Sequence, residues 1–291
     1  MIEIPVRGFT FDARRAGPAD GEPVLLLHGF PQTSYCYRFV LEALAGAGYQ
    51  AVAPDQRGYS PRARPPEVED YRLDVLVDDA IAMADHLGFA RFHLVGHDWG
   101  AMVAWVTAGK HQDRVISLTP ISVPHPYAFA EAMATLPGDG QPPQSERSSY
   151  IDVFKSEGAE EIFLADDAAN LRRTFVGGGD LLPLGALSDE VADVYIETLT
   201  RPGAMEAALN WYRAMTPESL AGFGDITMPT MHVWSTEDPA LGREGAELTG
   251  KHVTGPYSLE ILDGVSHWIQ EEAPERFNPL LLAHLAATSD R

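Results

Sequence analysis

The chain has 291 residues, 45% of them hydrophobic and 22% charged, which is the composition of a globular protein with a sizeable core. Its 42 acidic residues against 21 lysines and arginines leave a formal net charge of −21. This charge repels phosphate backbones and anionic membranes, so neither nucleic acid nor a membrane surface is an expected partner.

Cysteine content and targeting signals are consistent with an intracellular protein. Cys36 is the single cysteine, so the chain forms no intrachain disulfide and no cysteine-rich metal site. Residues 1–18 have no basic segment followed by an apolar one, and no apolar run reaches the ~18 residues of a membrane helix. We therefore expect a cytoplasmic protein.

The hydrophobic pattern predicts an α/β fold. Residues 1–18 alternate as a strand does, and six later apolar runs, rich in β-branched residues, predict buried parallel strands. Helical periodicity occupies most of the intervals between these runs. The predicted strands are 22–30, 49–60, 90–98, 113–122, 228–236 and 257–265, and the helices are 34–46, 71–87, 100–110 and 274–287. Together they predict a mostly parallel sheet flanked by helices.

One long interval, 124–216, contains no predicted strand. Helical patterns occupy this interval instead, at 148–158, 159–164, 189–198 and 203–215. We interpret it as a helical cap inserted into a core made of residues 1–123 and 217–291. Such an insertion lies over the carboxyl ends of the strands, where open α/β sheets bind ligands.

The segment HLVGHDWGAMVAW, residues 93–105, has the pattern of a nucleophile elbow, a sharp turn between a strand and a helix. The small-x-nucleophile-x-small motif covers 96–100, with Asp98 where many hydrolases have serine. Two glycines in this spacing also occur simply to bring a strand and a helix close together. An ordinary serine esterase is excluded, because no serine occupies the central position.

The loop HGFP, residues 28–31, follows the first buried strand, where this type of fold supplies one N–H of an oxyanion hole. We predict that the donors are the backbone N–H groups of Phe30 and Trp99, and that Pro31 fixes the turn. His28 is interpreted as a buried strand-end histidine that shapes the loop rather than as a proton carrier.

An acid and then a histidine follow the elbow in the order that this fold requires. Asp238 lies in the loop after one predicted strand, and His267 lies just after the last strand. Glu237 is a competing acid, ranked second because it lies one residue nearer the strand and Asp238-Pro239 is typical of a turn start. The predicted triad is Asp98, His267 and Asp238.

Across nearly its whole length the chain resembles the epoxide hydrolase branch of the α/β-hydrolases. The similar segments are HGFP, DQRGYS, PPEVEDY, GHDWG, NWYRA, TEDPAL and GVSHW, in family order. Family members hold and protonate the epoxide oxygen with two cap tyrosines, and the matching residues here are Tyr150 and Tyr212. Without the resemblance, either tyrosine would be interpreted as a packing residue.

The resemblance implies that Asp98 attacks an epoxide carbon to form an alkyl ester, which water activated by His267 and Asp238 hydrolyses to a vicinal diol. The substrates are then a small apolar epoxide and water. His28, Pro31, Trp99, Phe154 and Trp268 are predicted to surround the substrate. No metal or organic cofactor is implied, and both a monomer and a homodimer remain open.

Two other functions are compatible with an aspartate at the elbow. Haloalkane and haloacetate dehalogenases use the same ester mechanism. The former need a second halide-binding N–H besides Trp99, usually from an asparagine at the position of Phe30 or from a cap tryptophan, and neither is evident in the sequence. The latter carry arginines after the nucleophile, where this chain has Trp99, Ala101 and Met102. A catalytically retired ligand-binding protein is the third reading, although it has no need of an intact triad and two cap tyrosines.

Overall fold

A computed structural model describes residues 1–136, 140–178, 182, 184–220 and 222–289. Eight strands form one sheet in the order β1-β2-β4-β3-β5-β6-β7-β8. The strands are β1 (Ile2–Val6), β2 (Phe9–Ala16), β3 (Pro23–Leu27), β4 (Gln50–Pro54), β5 (Phe92–His97), β6 (Val115–Ile121), β7 (Thr230–Ser235) and β8 (Tyr257–Leu262).

Strands β3 to β8 pair in parallel, which confirms the six predicted parallel strands. The alternating N-terminal segment forms two strands rather than one, because Arg7 and Gly8 both adopt positive φ angles and turn the chain back on itself. These two strands extend the sheet by antiparallel pairing of β1 with β2 and of β2 with β4.

The helices confirm the layered α/β arrangement. All four helices predicted between the strands are present, the first of them preceded by a 3₁₀ turn over Ser34–Tyr37. The helices are α1 (Arg38–Gly46), α2 (Leu73–His86), α3 (Trp99–Lys110), α4 (Pro126–Met133), α5 (Gln144–Arg147), α6 (Tyr150–Lys155), α7 (Ala159–Val176), α8 (Asp189–Leu199), α9 (Ala204–Arg213), α10 (Arg243–Leu248), α11 (Ile269–Glu272) and α12 (Pro274–Thr288). The short helices α4, α5, α10 and α11 were not predicted.

Helices α4 to α9 lie between β6 and β7, and the described part of 124–216 contains no strand. The predicted piece 159–164 is only the start of α7, whose φ and ψ angles leave the helical region at 165–168. Residues 137–139, 179–181 and 183 of the predicted cap lie outside the described residues. The division into core and cap stays a prediction.

Strand β5 and helix α3 form the centre of the molecule. Every residue of β5 is buried, and so are all residues of α3 from 100 to 109. Two glycines allow the close packing: a Cβ on Gly96 would lie 2.2 Å from the carbonyl oxygen of Gly100, and one on Gly100 would lie 1.9 Å from that of Leu27. The absence of side chains at Gly96 and Gly100 therefore allows β5 and α3 to pack closely.

The loops after four parallel strands meet at one edge of the sheet. They carry Phe30 after β3, Asp98 after β5, Asp238 after β7 and His267 after β8. Convergence of loops at the carboxyl ends of parallel strands is where α/β proteins build sites. No helix in the described ranges is long and apolar enough to cross a membrane.

We expect Gly100→Ala to lower the free energy of unfolding by about 2 kcal/mol or more, because the new Cβ overlaps the Leu27 carbonyl group. Urea unfolding monitored by circular dichroism measures the change. The control is Gly46→Ala at the exposed end of α1, where a Cβ meets nothing within 4 Å. That change should be neutral or stabilise by up to about 1 kcal/mol. Equal effects of both substitutions would contradict the packing argument.

Candidate active site

Asp98 occupies the junction between β5 and α3 in a strained backbone conformation. Its φ of 51° and ψ of −123° are unfavourable for a residue with a side chain, and such strain is a feature of nucleophile elbows. The turn lifts the carboxylate off the end of the sheet, so its side chain keeps 15% of its surface exposed although the flanking Gly96, His97 and Gly100 are buried.

Backbone N–H groups surround the Asp98 carboxylate. The N–H of Phe30 donates to Oδ1 at 2.7 Å, and the N–H of Trp99 also interacts with the carboxylate. A Cβ at Gly29 would lie 2.3 Å from Oδ1, so only glycine fits here, a requirement that the sequence did not reveal. Burial raises the pKa of Asp98, and the opposing effects of His267 and these N–H groups do not cancel the rise.

His28 holds the loop that carries Phe30. Its Nε2 accepts a hydrogen bond from the Gln56 N–H at 3.0 Å, and its Nδ1 lies 3.1 Å from the carbonyl oxygen of Gly29. With both ring nitrogens engaged and the residue fully buried, His28 has no free atom for a ligand. The peptide bond between Phe30 and Pro31 is cis.

Asp238 and His267 form a buried pair. The Nδ1–H of His267 donates to Asp238 Oδ2 at 2.7 Å. The second oxygen of Asp238 accepts from the N–H groups of Ala240 and Leu241, at 2.9 and 3.1 Å, which fixes the carboxylate. Glu237 is exposed on the outside of the same loop. The structure thus brings Asp238, and not Glu237, to the histidine.

The second ring nitrogen of His267 faces Asp98. Its Nε2 lies 3.8 Å from Asp98 Oδ2, which is too long for a hydrogen bond, and this buried atom has no other hydrogen-bond partner among the described residues. Burial lowers the pKa of His267, but the charge and hydrogen bond of Asp238, together with Asp98, outweigh it and leave the pKa above its ordinary value.

His97 supports the His267 loop, and sequence reasoning missed this role. Its Nε2–H donates to the backbone oxygen of His267 at 2.9 Å, and the two rings lie 4.7 Å apart. Burial and the neighbouring His267 lower the pKa of His97, so it stays neutral and keeps a defined donor. Its position next to Asp98 in the elbow was the available signal.

A cavity of about 170 Å³ opens above Asp98. Tyr150, the first residue of α6, and Tyr212, near the end of α9, line it together with Asp98. Burial, followed by the nearby charge of Asp98, raises the pKa of both phenols. The other lining residues in the described part of the chain are Trp99, Met102, Val123, Phe129, Ile151, Lys155, Met215 and Leu241.

Four residues predicted to surround a substrate do not line this cavity. His28 and Pro31 are buried within the loop that carries Phe30. Phe154 is fully buried because α6 turns it toward the rings of Phe30 and Phe163. Trp268 packs beneath His267 instead, against His97 and Phe175. Of the five predicted pocket residues, Trp99 is the one that lines this cavity.

The described residues contain no group of three or more histidine, cysteine, aspartate or glutamate side chains arranged to hold a metal ion. The acidic and histidine side chains of the site contact one another instead. Asp238 accepts hydrogen bonds from His267 and two backbone N–H groups, and the other side of the His267 ring faces Asp98 at 3.8 Å.

A family model described as the alpha/beta hydrolase fold matches residues 22–274. The chain belongs to the α/β-hydrolase family. Its eight-stranded, mostly parallel sheet and the four converging loops are the fold that the resemblance implied.

Individual relatives locate this hydrolase within the family. The AB hydrolase superfamily protein YfhM of Bacillus subtilis is 34% identical, over 97% of this chain and 96% of the relative. Epoxide hydrolase A of Mycobacterium tuberculosis is 33% identical over the same shares. The crystal structure of Bacillus megaterium epoxide hydrolase in complex with an inhibitor has a TM-score of 0.85 at 27% identity, covering 98% of this chain and all of that one. The chain is a hydrolase of the epoxide hydrolase branch.

In this hydrolase we expect Asp238→Asn to lower the pKa of His267, because burial then faces only Asp98 as an opposing charge. Titration of the histidine ring signals by NMR measures the change, with the His267 signal assigned by its loss in His267→Gln. Glu237→Gln is the matched control and should leave the titration unchanged. A shift in the control, or none in Asp238→Asn, would contradict the assignment of the acid.

Proposed function

We propose that this hydrolase opens epoxides to vicinal diols through an alkyl ester on Asp98, which water activated by His267 then hydrolyses. The observation that carries the proposal is that one apolar cavity contains the Asp98 carboxylate and the side chains of Tyr150 and Tyr212. Relatives named epoxide hydrolase support the same reaction. In this proposal the helices between β6 and β7 act as the cap.

In the first step Asp98 Oδ2 attacks one ring carbon of the epoxide. A new C–O bond forms to Asp98 while the ring C–O bond breaks, and its electron pair goes to the epoxide oxygen. Oδ2 is the suitable atom because Oδ1 already accepts the hydrogen bond from Phe30. An aspartate needs no activating base, because its ionised carboxylate is itself the nucleophile. His267 and the N–H groups of Trp99 and Phe30 favour that ionised form and oppose the effect of burial on the pKa of Asp98.

The opening oxygen needs a proton donor as its negative charge develops. Tyr150 and Tyr212 supply hydroxyl groups on the inserted helices, at the same cavity as Asp98. Their raised pKa values keep both phenols protonated at neutral pH. Donors aimed at developing charge in an apolar site stabilise a transition state more than they would in water.

In the second step water attacks the Cγ atom of the Asp98 ester. His267 Nε2 accepts the proton from that water, and the N–H groups of Phe30 and Trp99 bind the oxyanion that develops on Oδ1. Collapse of this intermediate breaks the bond between Cγ and the diol oxygen, which takes a proton from the His267 imidazolium as the diol leaves. The proton that remains on the Asp98 carboxyl returns to the tyrosine that protonated the epoxide oxygen, and this restores the starting state. Asp238 stabilises the imidazolium form of His267 through its 2.7 Å hydrogen bond.

Ester formation also prepares the base. The negative charge of Asp98 contributes to the raised pKa of His267, and alkylation removes that charge. The pKa of His267 therefore falls between the two steps, which favours the neutral imidazole that must accept a proton. The pKa of His267 therefore depends on whether Asp98 has been alkylated.

Dehalogenation by the same ester mechanism is the alternative function. The chain lacks the groups that would bind a released halide or the carboxylate of a haloacetate at the expected positions. The indole N–H of Trp211 on α9 donates to the backbone oxygen of Arg57 at 2.9 Å, so it is not free for a halide. Ala101 is buried in the core and Met102 offers no charge for a haloacetate carboxylate. The intact set of catalytic groups disfavours a retired binding protein.

Epoxide opening predicts that Tyr150→Phe and Tyr212→Phe each slow alkylation by an epoxide about 10²-fold or more, since each removes one donor to the leaving oxygen. The double variant should be nearly inactive, without additivity of the two effects. Tyr127→Phe, at an exposed tyrosine of α4, is the matched control and should react at the parental rate.

Diol and halide are measured separately, with styrene oxide, an aliphatic epoxide, a haloalkane and fluoroacetate as substrates. Circular dichroism verifies that each variant is folded. Parental epoxide turnover by the double variant would overturn the roles of the tyrosines. Release of halide by a parent enzyme that opens none of the epoxides would assign the dehalogenase function instead.

A further inference from the structure

One charged group at the cavity takes no part in the proposed reaction. Lys155, the last residue of α6, lines the cavity yet is exposed to solvent, so it lies at the rim. The chain has only three lysines, and the other two, Lys110 and Lys251, do not line the cavity. The position of Lys155 therefore needs a separate explanation.

Lys155 makes no ion pair within 4 Å in the described part of the chain, whereas nearby arginines are engaged. Arg213 pairs with Glu160 at 2.7 Å, and Arg147 donates to the backbone oxygens of Asp238 and Pro239. Lys155 thus presents a free ammonium group beside an opening whose walls are mostly apolar. The Lys155 ammonium group is therefore available to pair with an anionic group of a ligand.

The charge of the whole protein makes this cation significant. A net charge of −21 repels anions, so an anionic substrate needs a local positive group at the entrance. We propose that Lys155 pairs with a carboxylate on the substrate, and that the preferred substrates are compact ω-epoxy carboxylic acids. The inference rests on the proposed epoxide opening and names its substrate class.

The spacing along α6 gives the scale of such a substrate. Tyr150, which would hold the epoxide oxygen, and Lys155 both line the cavity, and their backbone positions differ by about 7.5 Å along the helix axis, five residues at 1.5 Å per residue. An extended chain spans roughly 3.5 Å per three bonds, so a substrate of this scale has about six bonds between its epoxide oxygen and a carboxylate oxygen. In 5,6-epoxyhexanoate, six bonds join the epoxide oxygen to a carboxylate oxygen.

The test compares kcat/KM for 5,6-epoxyhexanoate with that for 5,6-epoxyhexanamide, a neutral molecule of nearly the same shape. The parent enzyme should prefer the acid. Lys155→Met should reduce the acid-to-amide ratio about fivefold, the effect of an ion pair worth about 1 kcal/mol at a partly exposed site. Lys155→Arg should retain the preference, and Lys251→Met is the control for removing a remote positive charge.

Two further measurements exclude a general charge effect. Raising the ionic strength should lower the ratio for the parent but not for Lys155→Met, because salt screens an exposed ion pair. Glycidate, whose carboxylate is attached to the epoxide ring, is too short to reach Lys155. At an ionic strength that screens long-range attraction, its kcat/KM should therefore not depend on residue 155.

The outcomes distinguish this inference from the function on which it rests. If the parent opens the amide but Lys155→Met leaves the acid-to-amide ratio unchanged, the carboxylate site is wrong and epoxide opening stands. An equal fall of the ratio in Lys251→Met also overturns the site. If the parent opens styrene oxide but neither of these two epoxides, the substrate class is wrong and epoxide opening stands. If it opens no epoxide at all, the proposed function fails and the substrate class fails with it.

Discussion

The close approach of α3 to the end of β3 is the contact on which the rest of the site depends. Gly100 lies so near the Leu27 carbonyl group that no side chain fits between them, and this contact fixes where α3 begins. The start of α3 carries the strained Asp98 and the Trp99 N–H, while the residues after Leu27 carry the Phe30 N–H. One packing constraint therefore aligns the proposed nucleophile with both N–H donors at its carboxylate.

Electrostatics then divides the site into two regions. Below the Asp98 carboxylate, His267 and Asp238 form a buried, hydrogen-bonded pair whose raised imidazole pKa depends on the charges beside it. Above it, the cavity is mostly apolar, so the phenols of Tyr150 and Tyr212 face little competition from water. In the proposed reaction, the Asp98 carboxylate lies between the region that takes a proton from water and the region that holds the substrate oxygen.

Local sequence patterns predicted the parallel strands, the elbow and the loops that bring Asp98, Asp238 and His267 together, because these features depend on glycine spacing and strand ends. The shape of the cavity could not be predicted. Phe154 and Lys155 are adjacent on α6, yet one packs inward and the other lines the cavity, a difference set by the packing of inserted helices. The supporting contact of His97 is likewise long-range, since it joins residues 170 positions apart.

The central claim is that the Asp98 carboxylate, and not water, attacks the substrate. A single turnover in ¹⁸O-water, with enzyme in excess over epoxide, tests it most directly. The account predicts that the first diol contains no oxygen from solvent and that peptide mass spectrometry finds the ¹⁸O label in Asp98. A first-turnover diol that carries ¹⁸O, with Asp98 unlabelled, would contradict it.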